Sequence, residues 1–237
     1  MANTKSNRPI SIHKWVTGEL GARIVGGEYR PGDYIPNETN LGEELGVSRT
    51  ALREAFKTLT AKGLIESRPK LGTRITEKKH WNMFDSDVLE WFFRTEPSIE
   101  FYHSLFAIRG IFEPAAAKLA AQNRTQEQVV QLAEAYEKME KASIGTDDVF
   151  TSDLEFHMTI LEATNNEFVI SLGKTIQTAL AGIFKLSSST EQEYIDALPG
   201  HKAIYQAIAN KDADGAEQQM LVLLDESEQS VKEALER

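Results

Sequence analysis

Apolar residues recur at helical spacing along most of this chain, and the clearest pattern lies in its first third. Asn37 can cap a short helix that ends at Gly46, and Ser48 can cap a second helix that extends to about Lys62. The second helix places four apolar residues on one face, namely Leu52, Ala55, Phe56 and Leu59. Because only the tight turn at Gly46 and Val47 separates the two helices, the pattern predicts a helix-turn-helix.

Two short β-prone runs follow this motif. They cover residues 64–67 and 73–76, and the segment 68–72 between them is basic and contains proline and glycine. Such runs around a glycine-containing turn predict a hairpin. We therefore expect a winged helix, with the hairpin as its wing.

The second helix carries cations on the face opposite its apolar residues. A helix-turn-helix presents the N-terminal residues of its second helix to base edges, and arginine can bond both acceptors of guanine. We therefore expect Arg49, Thr50 and Arg53 to contact bases, with Ser48 and Lys57 nearer the phosphates. A solvated basic helix face is the alternative interpretation.

The charges of the chain are unevenly distributed. Residues 1–80 hold 14 Lys+Arg and 9 Asp+Glu residues, whereas the rest of the chain holds 12 and 27, so the net charge of −10 hides a basic part and an acidic part. A basic module attracts DNA phosphates, and an acidic module is repelled by them. We therefore predict a winged-helix DNA-binding domain at residues 1–78, a linker at 79–97 and an all-α domain at 98–237.

Composition excludes several classes of protein. No apolar run approaches the roughly 20 residues that span a bilayer, and the N-terminus lacks the apolar stretch of a signal peptide, so we expect a cytoplasmic protein without membrane attachment. Without cysteine, a metal ion must be held by histidine and carboxylate. Hydrolase, nucleotidase and dinucleotide-binding motifs are absent, and we expect no enzyme activity.

The acidic part has the pattern of a helical bundle, and its first long helix is predicted over residues 98–122. Arg109 falls within the apolar stripe of this helix, where a guanidinium is costly unless a negative group meets it. Glu113, one turn later, is an internal partner, and an anionic ligand is the alternative partner. Turn signals divide the bundle at Gly145, at residues 187–189 and at Pro199-Gly200.

A second polar cluster lies on the helix predicted over residues 148–163. Asp153 and His157 are four residues apart on its inner side, and His201 faces inward at the start of a further helix. One carboxylate and two imidazoles suit a divalent ion that keeps open coordination positions. The alternative interpretation is that these are hydrogen-bonded structural residues of the core.

A doubled Glu-x-x-His pattern matches the ligand motif of di-iron carboxylate bundles, with Glu77 preceding His80 and Glu100 preceding His103. Such ligands must project inward from two long core helices. Glu77 lies instead at the end of the predicted wing, and Glu100 lies at the start of its helix. We therefore reject a di-iron site.

The helix-turn-helix also matches a longer family pattern. From Glu38 to Ile65 the chain reads E-x-x-L-x-x-x-x-G-V-S-R-T-x-L-R-E-A-x-x-x-L-x-x-x-G-L-I, which resembles the winged-helix domain of GntR-family bacterial transcription regulators. The acidic part is similar to the all-α FCD effector domain of the FadR branch. This second resemblance rests on Arg109-x-x-x-Glu113-Pro114, Asp153-x-x-x-His157 and His201-Lys202-x-Ile204-x-x-Ala207-Ile208. Together the two resemblances cover nearly the whole chain.

The first resemblance implies particular DNA contacts. In such regulators the arginines that match Arg49 and Arg53 contact bases, and the tip of the wing reaches the adjacent minor groove. Lys70 stands where glycine is common in the family, so the minor-groove contact is expected to differ in detail. The predicted DNA-binding residues are Ser48, Arg49, Thr50, Arg53, Arg68, Lys70 and Gly72.

The second resemblance implies a ligand site. In many FCD domains the residues that match Asp153, His157 and His201 bind a divalent metal ion, zinc or similar, together with one further histidine on the last helix. Leu223 takes the place of that histidine here. The three remaining residues and Arg109 are expected to bind the carboxylate of a small effector.

The segment 81–91 is similar to the linker of the galactonate-operon repressors of this branch, which favours a hexonic sugar acid as the effector. We therefore expect a homodimeric repressor that binds double-stranded operator DNA and responds to such an acid. Two alternatives remain, a metal-dependent enzyme domain tethered to DNA and an architectural DNA-binding protein without an effector.

Overall fold

The computed structural model describes residues 11–95, 98–176 and 191–236. The chain divides into two compact units, Met1–Pro97 and Ser98–Arg237. No helix among the described residues combines the length and the apolar character that a membrane crossing requires.

The first unit is a winged helix followed by one more short helix. Its elements are α1 (Ile12–Val25), α2 (Glu38–Leu45), α3 (Arg49–Ala61), β1 (Ile65–Arg68), β2 (Gly72–Ile75), a 3-10 turn (Lys78–His80) and α4 (Ser86–Arg94). Helix α1 packs against α3 and α4, and its buried apolar residues are Val16, Leu20, Ile24 and Val25. Helix α1 thus buries its apolar side chains between α3 and α4.

Local side-chain bonds define the helix-turn-helix. Asn37 Oδ1 accepts hydrogen bonds from two backbone N–H groups of α2, both at 3.0 Å, and Ser48 Oγ accepts one from Ala51 at 3.2 Å. Each cap contributes on the order of 1 kcal/mol because it satisfies donors at a helix N-terminus. Gly46 ends α2 at φ +66°, a left-handed conformation that glycine adopts without strain. The predicted helix-turn-helix is confirmed.

The predicted wing is also present. Strands β1 and β2 form an antiparallel pair in which Ile65 lies opposite Ile75 and Arg68 lies opposite Gly72. Ile65 and Ile75 are buried, so the pair is attached to the core at its base. Lys70 in the turn has φ +64°, a left-handed conformation that costs a non-glycine residue roughly 1–2 kcal/mol. This strain is the physical reason that glycine suits the position.

Within the segment that the sequence predicts as a linker, residues 86–94 form helix α4. Helix α4 packs on α1, where the lack of a side chain at Gly21 leaves room for the Trp91 ring, and Trp91 is 3% exposed. Lys62 Nζ lies 2.6 Å from Asp85 Oδ1 at the N-terminus of α4. Packing and an ion pair therefore attach α4 to the winged helix.

The second unit is an all-α bundle, as predicted. Its elements are α5 (Ile99–Asn123), α6 (Gln126–Lys141), α7 (Asp147–Ala163), α8 (the helical residues 167–176), α9 (Glu191–Ala209) and α10 (Ala213–Glu236). Helix α5 packs on α7, α9 and α10, and α6 packs on α7 and α9. The largest buried residues of the shared core include Leu132, Met139, Phe156, Ile160, Ile204 and Met220.

The turn predicted at Pro199-Gly200 is wrong, because α9 continues through both residues. Proline removes one backbone hydrogen bond, but packing on both sides can hold a helix that contains it. Gly200 faces α10, and a Cβ added there would lie 3.2 Å from Leu223 Cδ1. His201 consequently lies in the second half of a 19-residue helix and not at its start. Residues 187–189, another predicted turn, lie outside the described residues.

Candidate functional site

The start of α3 presents polar side chains to solvent. Arg49, Thr50 and Arg53 are exposed, and Ser48 caps the helix. Arg53 Nε lies 2.9 Å from Glu38 Oε2, whereas Arg49 makes no ion pair with any described residue. Because the opposite face of α3 is buried, these cations must point outward. The arrangement can offer guanidinium donors to base edges and phosphates in a major groove.

The wing carries a second group of cations. Arg68 Nη2 and Arg74 Nη2 lie 2.7 and 2.9 Å from Glu66 Oε1, so one carboxylate holds two guanidinium groups. The hydrogen bond from Arg68 lowers the pKa of Glu66, and the carboxylate stays ionised. Lys70 and Gly72 form the exposed tip. Of the three wing cations, Lys70 alone lies outside the ion pairs found within the described part of the chain.

In the second unit, Arg109 and Glu113 are buried together on α5. Arg109 Nε donates a hydrogen bond to Glu113 Oε1 at 2.7 Å, and both side chains are 7% exposed. The guanidinium also lies over the Phe106 ring, 4.9 Å from its centroid. The internal salt bridge that the spacing allows is therefore present. Among the described residues this bond engages only Nε, which leaves the Nη groups as donors for an anion.

Helices α7 and α9 bring Asp153, His157 and His201 together. One ligand-type atom from each residue lies within 4.8 Å of the other two. Asp153 Oδ1 lies 3.2 Å from His201 Nε2 and 3.9 Å from His157 Nε2. The two imidazole rings meet edge to face, with their centroids 5.6 Å apart. One carboxylate oxygen and two ring nitrogens therefore converge, although His201 lies far from the other two residues in sequence.

A hydrogen bond determines which nitrogen of His201 faces Asp153. His201 Nδ1 lies 2.8 Å from the backbone carbonyl oxygen of Ala197, and because that oxygen only accepts, Nδ1 carries the proton. In the neutral ring, Nε2 is then an acceptor aimed at a carboxylate oxygen. Nε2 is buried without a hydrogen-bond partner among the described residues. A cation held between the two acceptors removes their repulsion and satisfies both.

Burial and charge set the protonation states of this cluster. Burial lowers the pKa of His157, and the opposing attraction of Asp153 does not compensate for it, so the imidazole is neutral at neutral pH. For Asp153, burial acts to raise the pKa, but the contact with His201 and the neighbouring groups, the Arg109 guanidinium among them, lower it by more. A neutral imidazole and an ionised carboxylate are the forms that bind a metal ion.

The cluster fits a divalent metal ion of the zinc type. One carboxylate and two imidazoles match the donor preference of such ions, and three protein ligands leave coordination positions for water or for a ligand oxygen. Leu223, which stands where many FCD domains have a further histidine, is buried in the apolar core. Among the described residues, three groups could therefore hold such an ion.

One contact of this site has no signal in the sequence. Glu113 Oε2 lies 3.5 Å from His157 Nδ1, so a single carboxylate faces both Arg109 and His157. Spacing along α5 indicates the pair with Arg109. It cannot indicate the contact with His157, because that contact depends on how α5 packs against α7.

The chain thus combines a winged helix that exposes guanidinium groups with an all-α domain that buries a cluster suited to an anion and a metal ion. This combination defines a class of protein, the DNA-binding regulators that carry their own ligand-sensing domain. Residues 13–75 match the family model for bacterial regulatory proteins of the gntR family, and residues 104–226 match the FCD domain. The chain therefore belongs to the GntR family and has an FCD domain.

Individual relatives agree with this family. The chain is 31% identical over 215 residues to the galactonate operon transcriptional repressor of Escherichia coli (strain K12), an alignment that covers 90% of this chain and 94% of that protein. It is 36% identical over 200 residues to the uncharacterized HTH-type transcriptional regulator YieP of the same strain, covering 84% and 86%. The solved structure of Streptococcus agalactiae GntR aligns with a TM-score of 0.52 and 26% identity, over 92% of this chain and 99% of that one.

Family membership decides between a transcription regulator and a metal-dependent enzyme domain tethered to DNA. The matched family and the relatives are transcription regulators. The protein is accordingly a transcription regulator and not an enzyme tethered to DNA.

Proposed function

We propose that this regulator is a homodimeric repressor of a sugar-acid catabolic operon, and that a galactonate-like hexonic acid changes its affinity for operator DNA. The observation that carries the proposal is the buried combination of a guanidinium, a carboxylate and two imidazoles in the FCD domain. A 31% identity to a galactonate operon repressor, in an alignment that covers 94% of that protein, supports the effector class.

DNA binding is assigned to the first unit. The recognition helix α3 would place Arg49, Thr50 and Arg53 against base edges, with Ser48 near a phosphate, because its first turn is exposed and cationic. The wing would follow the backbone toward the minor groove with Arg68, Lys70 and Gly72. A homodimer carries two such units, so the operator is expected to be a pseudo-palindrome.

Effector binding is assigned to the second unit. Asp153, His157 and His201 would hold a divalent ion, which supplies a positive charge for the oxygen atoms of the effector when it is bound. Arg109 would donate from its Nη groups to the effector carboxylate, while Glu113 holds its Nε. The effector changes DNA affinity only if it binds the two conformations of the dimer with unequal affinity.

A thermal-shift screen of hexonic, hexuronic and small hydroxy acids tests the effector class. The full chain is compared with and without a chelator. A ligand at 100 times its Kd stabilises the folded state by about 2.7 kcal/mol, which is readily seen as a rise in Tm. We expect a hexonic acid to raise the Tm of the metal-loaded protein and to lose this effect after chelation.

Two variants make the screen specific. Arg109→Ala should lose the response to the acid and keep operator binding. Glu162→Gln alters an exposed carboxylate on α7 and should keep both properties. A panel without any response, together with a Tm that is indifferent to the chelator, would favour an architectural DNA-binding protein whose bundle only dimerises.

A further inference from the structure

We propose that Glu113 is a positioning residue that orients His157 for metal binding by accepting a hydrogen bond from its Nδ1–H. The inference rests on the metal site of the proposed function, but it concerns a residue outside the ligand set. It assigns Glu113 a role beyond its salt bridge with Arg109.

The two oxygens of Glu113 face different partners. Oε1 accepts the hydrogen bond from Arg109 Nε, and Oε2 lies 3.5 Å from His157 Nδ1. Oε2 is buried and has no hydrogen-bond partner among the described residues. A buried carboxylate oxygen without a donor is costly, and a small rotation of the imidazole closes the distance to the roughly 2.8 Å of a charge-assisted bond.

This bond decides which nitrogen His157 offers to a metal ion. A proton on Nδ1 leaves the lone pair on Nε2, which faces Asp153 Oδ1 at 3.9 Å. A proton on Nε2 would instead aim the lone pair of Nδ1 at the Glu113 carboxylate and leave the cluster one donor short. His201 shows the same orientation, because Ala197 holds its Nδ1 and Nε2 faces Asp153.

Glu113 orients His157 and is not itself a ligand. It approaches the Nδ1 edge of the ring, whereas Asp153 approaches the Nε2 edge, and its other oxygen is bonded to Arg109. The apolar side chains of Phe112, Ala116, Ile160 and Met220 line a cavity together with Glu113 and His157. Such low-polarity surroundings strengthen a charge-assisted hydrogen bond.

The test uses the full chain with Glu113→Gln and two measurements. Cobalt(II) affinity is determined by competition with a chromogenic chelator, and the tautomer of His157 is read from two-bond ¹H–¹⁵N spectra of metal-free, histidine-labelled protein. Loss of an outer partner of a ligating histidine typically weakens metal binding by about 10–100-fold, and we expect a loss of this size. The Nδ1–H tautomer that dominates in the wild type should give way to a mixture.

Three further variants isolate the effect. Glu162→Gln removes an exposed carboxylate from α7 and should leave both readouts unchanged. Arg109→Gln removes the salt bridge but keeps Glu113 beside His157, so the Nδ1–H tautomer should persist. Glu113→Asp keeps the negative charge with a shorter reach and should weaken cobalt binding, which provides a result if Glu113→Gln does not fold.

The outcomes separate this inference from the metal site itself. Wild-type cobalt affinity and an unchanged tautomer in Glu113→Gln would overturn the role of Glu113. A wild-type protein that binds no cobalt would refute the metal site, and the tautomer would then decide on Glu113 alone. In that case a shift away from Nδ1–H in the variant supports the proposed bond, and the same tautomer in both proteins overturns it.

Discussion

Replacement of Arg49 by alanine should remove more operator affinity than replacement of Arg53, although the two arginines lie one turn apart on α3. Arg49 is exposed and forms no ion pair within the described residues, so its guanidinium can reach DNA without losing a partner. Arg53 must first leave Glu38, whose Oε2 lies 2.9 Å from its Nε. The structure therefore predicts an order for two residues that the motif treats alike.

The size of each effect follows from the bonds that each arginine can make. A bidentate arginine–guanine pair is worth about 1–3 kcal/mol, so two copies in a dimer make Arg49→Ala cost about 2–6 kcal/mol, a loss of at least roughly 30-fold. The Arg53 side chain is 65% exposed, and an exposed ion pair is worth only about 0.2–1 kcal/mol. Wild-type Arg53 gives up its ion pair with Glu38 when it binds DNA, so its net contribution to binding is lower by the free energy of that pair. Arg53→Ala should therefore lose less affinity than Arg49→Ala, by about 0.2–1 kcal/mol in each protomer.

Fluorescence anisotropy with a labelled operator and a scrambled duplex measures these losses. Arg49→Ala should weaken operator binding and leave binding to the scrambled duplex nearly unchanged. Lys57→Ala is the control for phosphate binding. It should weaken both complexes and reduce the slope of log affinity against log salt by about 0.9 for each phosphate that the variant no longer neutralises. Equal losses of Arg49→Ala on the two duplexes, or a larger operator loss for Arg53→Ala than for Arg49→Ala, would contradict this order.

Three other changes test separate features. Glu38→Gln should raise operator affinity by up to about 1 kcal/mol per protomer in the same anisotropy assay, because Arg53 then has no ion pair to give up. Unchanged affinity would show that Glu38 does not compete with DNA for Arg53. Zinc at 100 times its Kd should stabilise the wild type by about 2.7 kcal/mol and so raise its Tm. Asp153→Asn should abolish this rise, and a retained rise would exclude Asp153 as a ligand. Gly21→Ala should lower the free energy of unfolding by about 1–3 kcal/mol in a urea titration, because the new Cβ would lie 2.2 Å from Trp91 Cε3. Wild-type stability of this variant would contradict the packing of α4 on α1.

Local signals predicted the helix-turn-helix and the wing closely, but not α1 or α4. The caps at Asn37 and Ser48 and the left-handed Gly46 act within a few residues of their own position, so the helix bounds could be read directly from the residue types. The turn at Pro199-Gly200 was wrong for the opposite reason. Whether a helix continues through a proline depends on the neighbouring helices that hold it, and those neighbours have no local signal.

Residue types and their spacing were enough to predict the helix-turn-helix, the wing, the separation of basic and acidic parts, and the set of side chains available for chemistry. Helix packing was needed to show that the Nε2 atoms of His157 and His201 both face Asp153, and that Glu113 lies between Arg109 and His157. Periodicity describes which face of one helix is buried. It carries no information about which residues of another helix meet that face, because the crossing of helices is set by the fit of side chains across the whole core.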